Sequence, residues 1–373
     1  MSRCYRWFFV VLLSAPWVSP APAAEKPGWQ TEWERTVEAA KREGQVTIYA
    51  FAGGPLLPIE AGVFQKRFPE IKVVAVSGDP VPRALAERRA ARYLADVVIG
   101  GSSTPWQMYL AKALDPIKDA MILPEVTDES KWWRGRHHYR DPEKRFALVF
   151  IGNPDFGSVF YNSSLVKPKE IQSLWDLLNP KWKGRIAARD VRIPGGGGTS
   201  VKMFYHHPGL GPPFIRRLFG ETDITLFRDR RQGVDWLATG RFPLCLFCSR
   251  TDVGRAKGQG LPVDEFGPLK EGAGVTSSGG NIGLVNRAPH PNAARVFINW
   301  FLSREGQATL QTEYAKVRGG YSNSLRVDIS KEMIPPEQRL KEDIHYVDVE
   351  VPEQMSMEPV LKVFNEALAK TGK

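Results

Sequence analysis

The chain has 373 residues, 42% hydrophobic and 25% charged, with a formal net charge of +10. That length and balance suit a soluble globular protein with room for two lobes. Lys and Arg are scattered and no basic helix carries interleaved aromatics, so the excess charge reads as a solvated surface and nucleic acid is not expected as a partner.

At the start, Arg3 and Arg6 precede the apolar residues 7–13, and Ala21-Pro22-Ala23 supplies small residues at cleavage spacing. Residues 1–24 are therefore expected to be a secretory signal, cleaved near residue 23 or 24, and the mature protein to be periplasmic. The apolar run is shorter than the roughly 20 residues of a membrane span. No Cys stands at the cleavage site to take a lipid anchor.

Thr31-Glu32-Trp33-Glu34 reads as a capping box, opening a helix with Trp33, Val37 and Ala40 inward and Gly44 at its end. Residues 45–51 predict a strand, followed by the small-residue loop Ala52-Gly53-Gly54. A helix through Ile59, Val63, Phe64 and Phe68, a strand over 71–76, a helix over 81–93 and a strand over 96–100 follow. Gly101-Ser102-Ser103-Thr104 then opens the next helix, with Thr104 as cap and Pro105 in its first turn. Strands alternating with helices predict a largely parallel sheet, and ligands in such sheets bind at the carboxyl ends of strands.

Residues 131–145 read as a solvated connection. Two extended runs, 146–151 and 156–162, are separated by Asn153-Pro154-Asp155. The α/β rhythm then resumes: a helix over 171–178 with a strand to Ile186, the loop 195–200 leading into a helix through Met203 and Phe204, a strand over 224–227, a helix ending at Gly240, and a strand over 242–247. Gly267 to Gly280 is glycine-rich. Val360, Leu361, Phe364 and Leu368 make a terminal amphipathic helix without an evident packing partner.

Four loops carry chemistry: 52–54, 101–104, 195–200 and 248–251. A helix N-terminus offers unpaired N–H groups and the positive end of a dipole, glycine lets backbone approach a ligand, and Ser or Thr adds a hydroxyl. Singly, each loop reads first as plain helix capping; their recurrence in both lobes is what suits a carboxylate, phosphonate or sulfonate. Residues 195–198 lack the Lys-Ser/Thr ending of a phosphate loop, and neither G-x-S-x-G nor H-E-x-x-H occurs, so no enzyme, cofactor or metal is expected. Cys245 and Cys248 leave a disulfide, free thiols and redox or metal chemistry all open. Residues three apart on a continuous strand face opposite ways, so a bond requires the strand to end before Cys248.

Residues 282–285 read as a short buried strand stopped by Pro289 and Pro291. Ala294, Phe297 and Phe301, widened by Ile298 and Leu302, then predict a helix on a sheet face, and Ser303 with Glu305 starts a second helix ending near Leu310. The wording Ala288-Pro-His-Pro-Asn-Ala-Ala294, an aromatic helix, then Leu302-Ser-Arg-Glu-Gly-Gln307, resembles the returning segment of bacterial extracellular solute-binding proteins of family 1. These are the iron-type and spermidine-type receptors of ABC importers, and residues 171–186 resemble the start of their second lobe.

That resemblance, spanning about residues 40–311, implies a type II two-lobed fold with two hinge crossings. Lobe 1 is then expected over 25–152 with a return over 276–325, lobe 2 over 153–275, and a C-terminal helical segment over 326–373. It implies a monomer that closes on a small ligand and delivers it to an importer permease. The first crossing falls near 151–158, before Tyr161-Asn162. Candidate ligand contacts are Gly53, Gly54, Ser102 and Ser103 on lobe 1, and Tyr161, Gly197, Thr199, Ser200, Ser249 and Arg250 on lobe 2. Ferric members of the family place adjacent tyrosines where this chain reads Phe247-Cys248-Ser249-Arg250. The missing pair, and an arginine that repels cations, point to an organic anion; a surface salt bridge is the other reading of Arg250. The remaining alternatives are a secreted redox protein or other enzyme using Cys245 and Cys248, and a ferric receptor without the tyrosines.

Overall fold

The computed structural model describes residues 27–51, 56–193, 197–317, 320–344 and 346–372. The secretory signal, Gly53 and Gly54 lie outside them. The described residues form fifteen strands, β1 to β15 in chain order. Those of the first lobe are β1 Gln45–Ala50, β2 Lys72–Ser77, β3 Val97–Gly100, β4 Leu114–Asp115, β5 His138–Tyr139 and β6 Ala147–Val149. After β7 Asn153–Asp155, the second lobe holds β8 Val159–Asn162, β9 Ile186–Arg189, β10 Thr225–Phe227, β11 Leu244–Leu246 and β12 Val263–Glu265. Then come β13 Ala273–Thr276, β14 Asn281–Val285 and β15 Tyr346–Val347.

The first sheet runs β2-β1-β3-β14-β6-β5 with β4 on β14, and the second β10-β9-β11-β8-β12. Two α/β lobes are thus present, but the sheets are mixed rather than mostly parallel. Within these two sheets only β1–β2, β1–β3, β9–β10 and β9–β11 pair in parallel. These are the strands joined by crossover helices. β14 and β8 enter from the other lobe and run antiparallel to their neighbours, because a chain that has crossed between lobes returns in the opposite sense.

The helix Pro291–Leu302 anchors the first lobe. Every residue from Ala293 to Leu302 except Arg295 is buried. Phe64 meets Phe297 and Trp300 edge-on at 5.4 and 5.2 Å, and Phe150 meets Phe301 at 4.9 Å. Its first turn is held by Glu43, which accepts from the backbone N–H of Asn292 and Ala293 at 3.2 and 2.7 Å. The following helix runs over Arg304–Lys316, beyond the expected stop at Leu310, since Gln311 stays buried and continues the inward face. Elsewhere the sequence overstates or shifts helices. The first begins at Gly28, so Thr31 is inside it and caps nothing; residues 171–178 give only a short 3-10 helix, Leu174–Leu178, capped by Ser173.

A third sheet, β15-β13-β7, joins the lobes. β7 and β13 are antiparallel, with Asp155 opposite Gly274 and Asn153 opposite Thr276, and β15 adds to β13 in parallel. The C-terminal segment also passes from lobe to lobe. Leu325 belongs to the first core, whereas Val349, Val360 and Phe364 belong to the second. The helix Glu358–Ala369 finds its partner there, packing on Gly211–Glu221 with Phe364 on Phe219 at 4.7 Å.

Candidate functional site

The carboxyl ends of β9, β10 and β11 each lead to a helix that starts in the cleft: Gly198–His206, Arg230–Ala238 and Arg250–Gly258. Asp229 caps the second, accepting from Arg231 and Gln232 N–H, and Ser249 caps the third, accepting from Asp252 N–H. The first has Gly197 as its cap residue and, among the described residues, no side-chain cap, so its leading N–H groups can serve a ligand or water. Gly197 is required there. Its φ is +99°, and a Cβ would stand 2.8 Å from the Cβ of Phe247.

These starts enclose a cavity of about 390 Å³ lined by Gly197, Thr199, Ser200, Ser249 and Arg250, together with Asp155, Ser158, Arg189, Arg230, Phe247, Cys248, Thr276 and Ser278. Thr276 and Ser278 come from the second crossing, so the cavity sits against the hinge. Arg189 and Arg230 bring two cations to a lining that also holds Asp155. Burial, reinforced by the charge of Arg230, holds the Arg189 guanidinium below its ordinary pKa. Arg230 donates to Ser249 Oγ at 2.7 Å and lies 3.3 Å from Asp252.

Arg250 has partners inside the protein. Its Nε and Nη2 donate to the two Glu265 oxygens at 2.7 and 2.6 Å, and Nη1 donates to the Pro154 carbonyl at 3.0 Å. Burial disfavours its charge, but Glu265 overrides that and raises the pKa well above the ordinary arginine value. The salt-bridge alternative is therefore present, though set into the cleft wall and not on the outer surface. On its other side Arg250 borders a chamber of about 330 Å³ with Leu57, Asn153, Tyr314 and Tyr321. Burial lifts the Tyr321 phenol to about 12, against the pull of Arg250, so it is a neutral hydroxyl at physiological pH.

Phe247, with φ +61°, ends β11 before Cys248. That turn brings Cys248 back to Cys245, and the two are disulfide-bonded with their Cα atoms 6.1 Å apart. Free thiols are thereby set aside. The bond fixes the loop from which Ser249 and Arg250 extend.

Other expected contacts lie elsewhere. Tyr161 is buried in the second core, tilted on Phe266 at 4.4 Å. Ser102 and Ser103 do not line the cavity; the helix they begin, Ser103–Leu110, starts one residue before the expected cap at Thr104. Among the described residues, no group of three or more His, Cys, Asp or Glu is placed to hold a metal.

Residues 50–313 match the family of bacterial extracellular solute-binding proteins. The chain belongs to that family. This solute-binding protein accordingly works by capture and release outside the cytoplasm and is not an enzyme. It is 28% identical over 173 residues to iron uptake protein A1 of Synechocystis, an alignment covering 41% of this chain and 44% of that one. Its fold is similar to that of Trichodesmium IdiA (FutA) in complex with iron and citrate, with a TM-score of 0.66, 18% identity, and 87% and 99% of the two chains covered. It is also similar to AfuA of Actinobacillus pleuropneumoniae with fructose-6-phosphate bound, with a TM-score of 0.58, 18% identity, and 88% and 98% covered.

The solute-binding protein's cleft includes residues that the sequence reading passes over. Arg189 closes β9 and Arg230 opens the helix after β10, so the rule that ligands meet strand ends points to both. Asp155 and Glu350 have no such local signal, because a chain crossing and a distant C-terminal segment bring them to the cleft.

Proposed function

We propose that this protein is the receptor of an ABC importer and that it captures an anionic small ligand between its lobes, handing it to the importer permease. The observation that carries the ligand class is the pair Arg189 and Arg230 in one cavity with three helix starts. Guanidinium donors and open N–H groups suit carboxylate or phosphate oxygens and repel a bare cation.

Iron is the second reading, and the comparisons favour it over a simple organic anion, since two of the three proteins named above carry iron in their descriptions. The position of the ferric tyrosine pair is occupied here by buried Phe247 and disulfide-bonded Cys248. The two readings meet in a ferric–carboxylate chelate, whose outer oxygens present negative charge to the arginines. A thermal-shift series with ferric citrate, citrate alone, sugar phosphates and an uncomplexed ferric source separates them. At 100 times Kd a ligand stabilises by about 2.7 kcal/mol. Stabilisation by metal-free anions supports the first reading, and stabilisation by ferric citrate alone the second. A response to iron whatever its counter-anion would remove the anionic site.

A further inference from the structure

Four hydroxyls around the cleft, those of Ser158, Thr199, Ser200 and Thr276, spend their hydrogens on buried acids. Ser200 Oγ donates to Asp155 Oδ2 at 2.7 Å and Ser158 Oγ to Oδ1 at 3.0 Å, and the two hydroxyls stand 2.9 Å apart, so both hydrogens are spent within this trio. Thr276 Oγ1 and Thr199 Oγ1 donate to Glu350 Oε1 at 3.0 and 3.3 Å. Asp155 and Glu350 are each 3% exposed; Asp155 forms part of the cavity lining and Glu350 stands behind it. A carboxylate accepts and a hydroxyl has one hydrogen, so the four keep none for the cavity and can meet a ligand there only as acceptors, Thr276 having already accepted from the Ser278 N–H at 3.3 Å.

Glu350 is held in this role from its other oxygen. Arg140 Nη2 and the Ser277 N–H donate to Oε2, both at 3.0 Å. Arg140 also grips Asp348 at 3.0 and 2.9 Å, and Lys202 Nζ donates to the Val349 carbonyl at 3.1 Å. The C-terminal crossing is thereby pinned to lobe 1 by Arg140, to the hinge by Thr276 and Ser277, and to lobe 2 by Thr199. One end of the cavity donates through arginines and helix N–H groups, and the hydroxyl wall accepts.

We propose that Asp155 and Glu350 are positioning residues that fix this hydrogen-bond polarity, so that the receptor selects anions bearing their own hydroxyl or ammonium donors over anions that bear none. The proposal rests on the anionic-ligand reading above. An anion without donors desolvates the hydroxyl oxygens and leaves them unpaired, whereas a hydroxylated one pairs them. A site built to bond a hydroxyl rejects the analogue lacking it far more strongly than a merely apolar pocket would.

The test is calorimetry on the mature protein with three matched pairs: citrate and tricarballylate, gluconate and hexanoate, ribose 5-phosphate and pentyl phosphate. Whichever pair binds, the hydroxylated member is expected to bind at least tenfold more tightly. In Glu350→Gln, Arg140 and Ser277 N–H keep the amide oxygen, which turns the amide NH2 toward Thr199 and Thr276 and frees their hydrogens for the ligand. The Kd ratio within the pair is then expected to fall about tenfold. Asp155→Asn places an amide NH2 against one of Ser158 and Ser200 and the amide oxygen against the other, so it frees one hydroxyl hydrogen; a smaller fall in the ratio is expected, and the variant stands by itself should the first not fold. Thr199→Val, which removes one acceptor with its bond to Glu350 and leaves both acids in place, is also expected to lower the ratio. A ratio unchanged in the folded variants, or a wild type that prefers the alkyl members, would overturn the proposal alone. Absence of binding to all six anions would overturn the anionic reading and this proposal with it.

Discussion

Arg250 and Glu265 form a two-pronged ion pair, Nε and Nη2 meeting the two carboxylate oxygens at 2.7 and 2.6 Å. The cation that the sequence offers to a ligand is thus neutralised by the protein's own acid. Only 10% of the Glu265 side chain is exposed, against 23% for Arg250. Removing one partner of a buried pair costs about 3–5 kcal/mol, and solvent access at Arg250 lowers that to about 2–3 kcal/mol. Arg250→Ala is expected to lose this much in urea unfolding, with most of it recovered in the double variant with Glu265→Gln. A loss under about 0.5 kcal/mol would show the pair to be screened.

The disulfide closes a short loop, so its constraint on the unfolded chain amounts to about 2 kcal/mol. In the protein cleaved of residues 1–24, native thiol titration is expected to find no reactive thiol, and titration after denaturing reduction to find Cys245 and Cys248. Reduction should lower the melting temperature and weaken ligand binding through the Ser249 loop. Two reactive thiols in the native protein would contradict the pairing.

The crossings meet in one small sheet, β15-β13-β7, on which the lobes can turn. A ligand touching both sides selects the closed arrangement. Small-angle scattering is expected to give a smaller radius of gyration at saturation than without ligand. An unchanged radius would remove the closure and leave the binding site intact.

His137 and His138 both have pKa values below the ordinary 6.5, with burial as the leading cause. Their rings meet the carbonyls of Val126 and Trp133, each at 2.9 Å. The unfolded chain therefore takes up protons that the folded one resists. Stability from these rings is complete above about pH 6.5 and is lost as pH falls through the folded values, at about 1.4 kcal/mol per unit of depression. Urea midpoints between pH 7.5 and 5 are expected to fall, less steeply in the His137→Gln, His138→Gln double variant. Parallel profiles for the two proteins would count against the two rings.

Much of the fold is legible because it is local. The apolar spacing of Ala294, Phe297 and Phe301 gives the central helix, and Gly44 gives the end of the first. The direction of β14 and β8 is not local: it follows from a chain that leaves one lobe and comes back, which periodicity does not record. The site divides the same way. Gly197, Thr199, Ser200 and Ser249 stand at strand ends and announce themselves, whereas Tyr161 carries a polar tip yet packs on Phe266. Arg250, at a helix start, shows an inviting charge whose partner, Glu265, lies on β12. Asp155 and Glu350 reach one cleft from either side of the hinge, and only the folded chain brings them together.

The most direct test of an anionic cleft is calorimetry of the best ligand from the thermal-shift series against wild type, Arg189→Gln and Arg230→Gln. A charge-assisted hydrogen bond contributes about 1.5–3 kcal/mol, so each variant is expected to bind roughly 10- to 150-fold more weakly while keeping the wild-type melting temperature without ligand to within a few degrees. Unchanged affinity in both variants, or tight binding of an uncomplexed cation that ignores both arginines, would contradict the account.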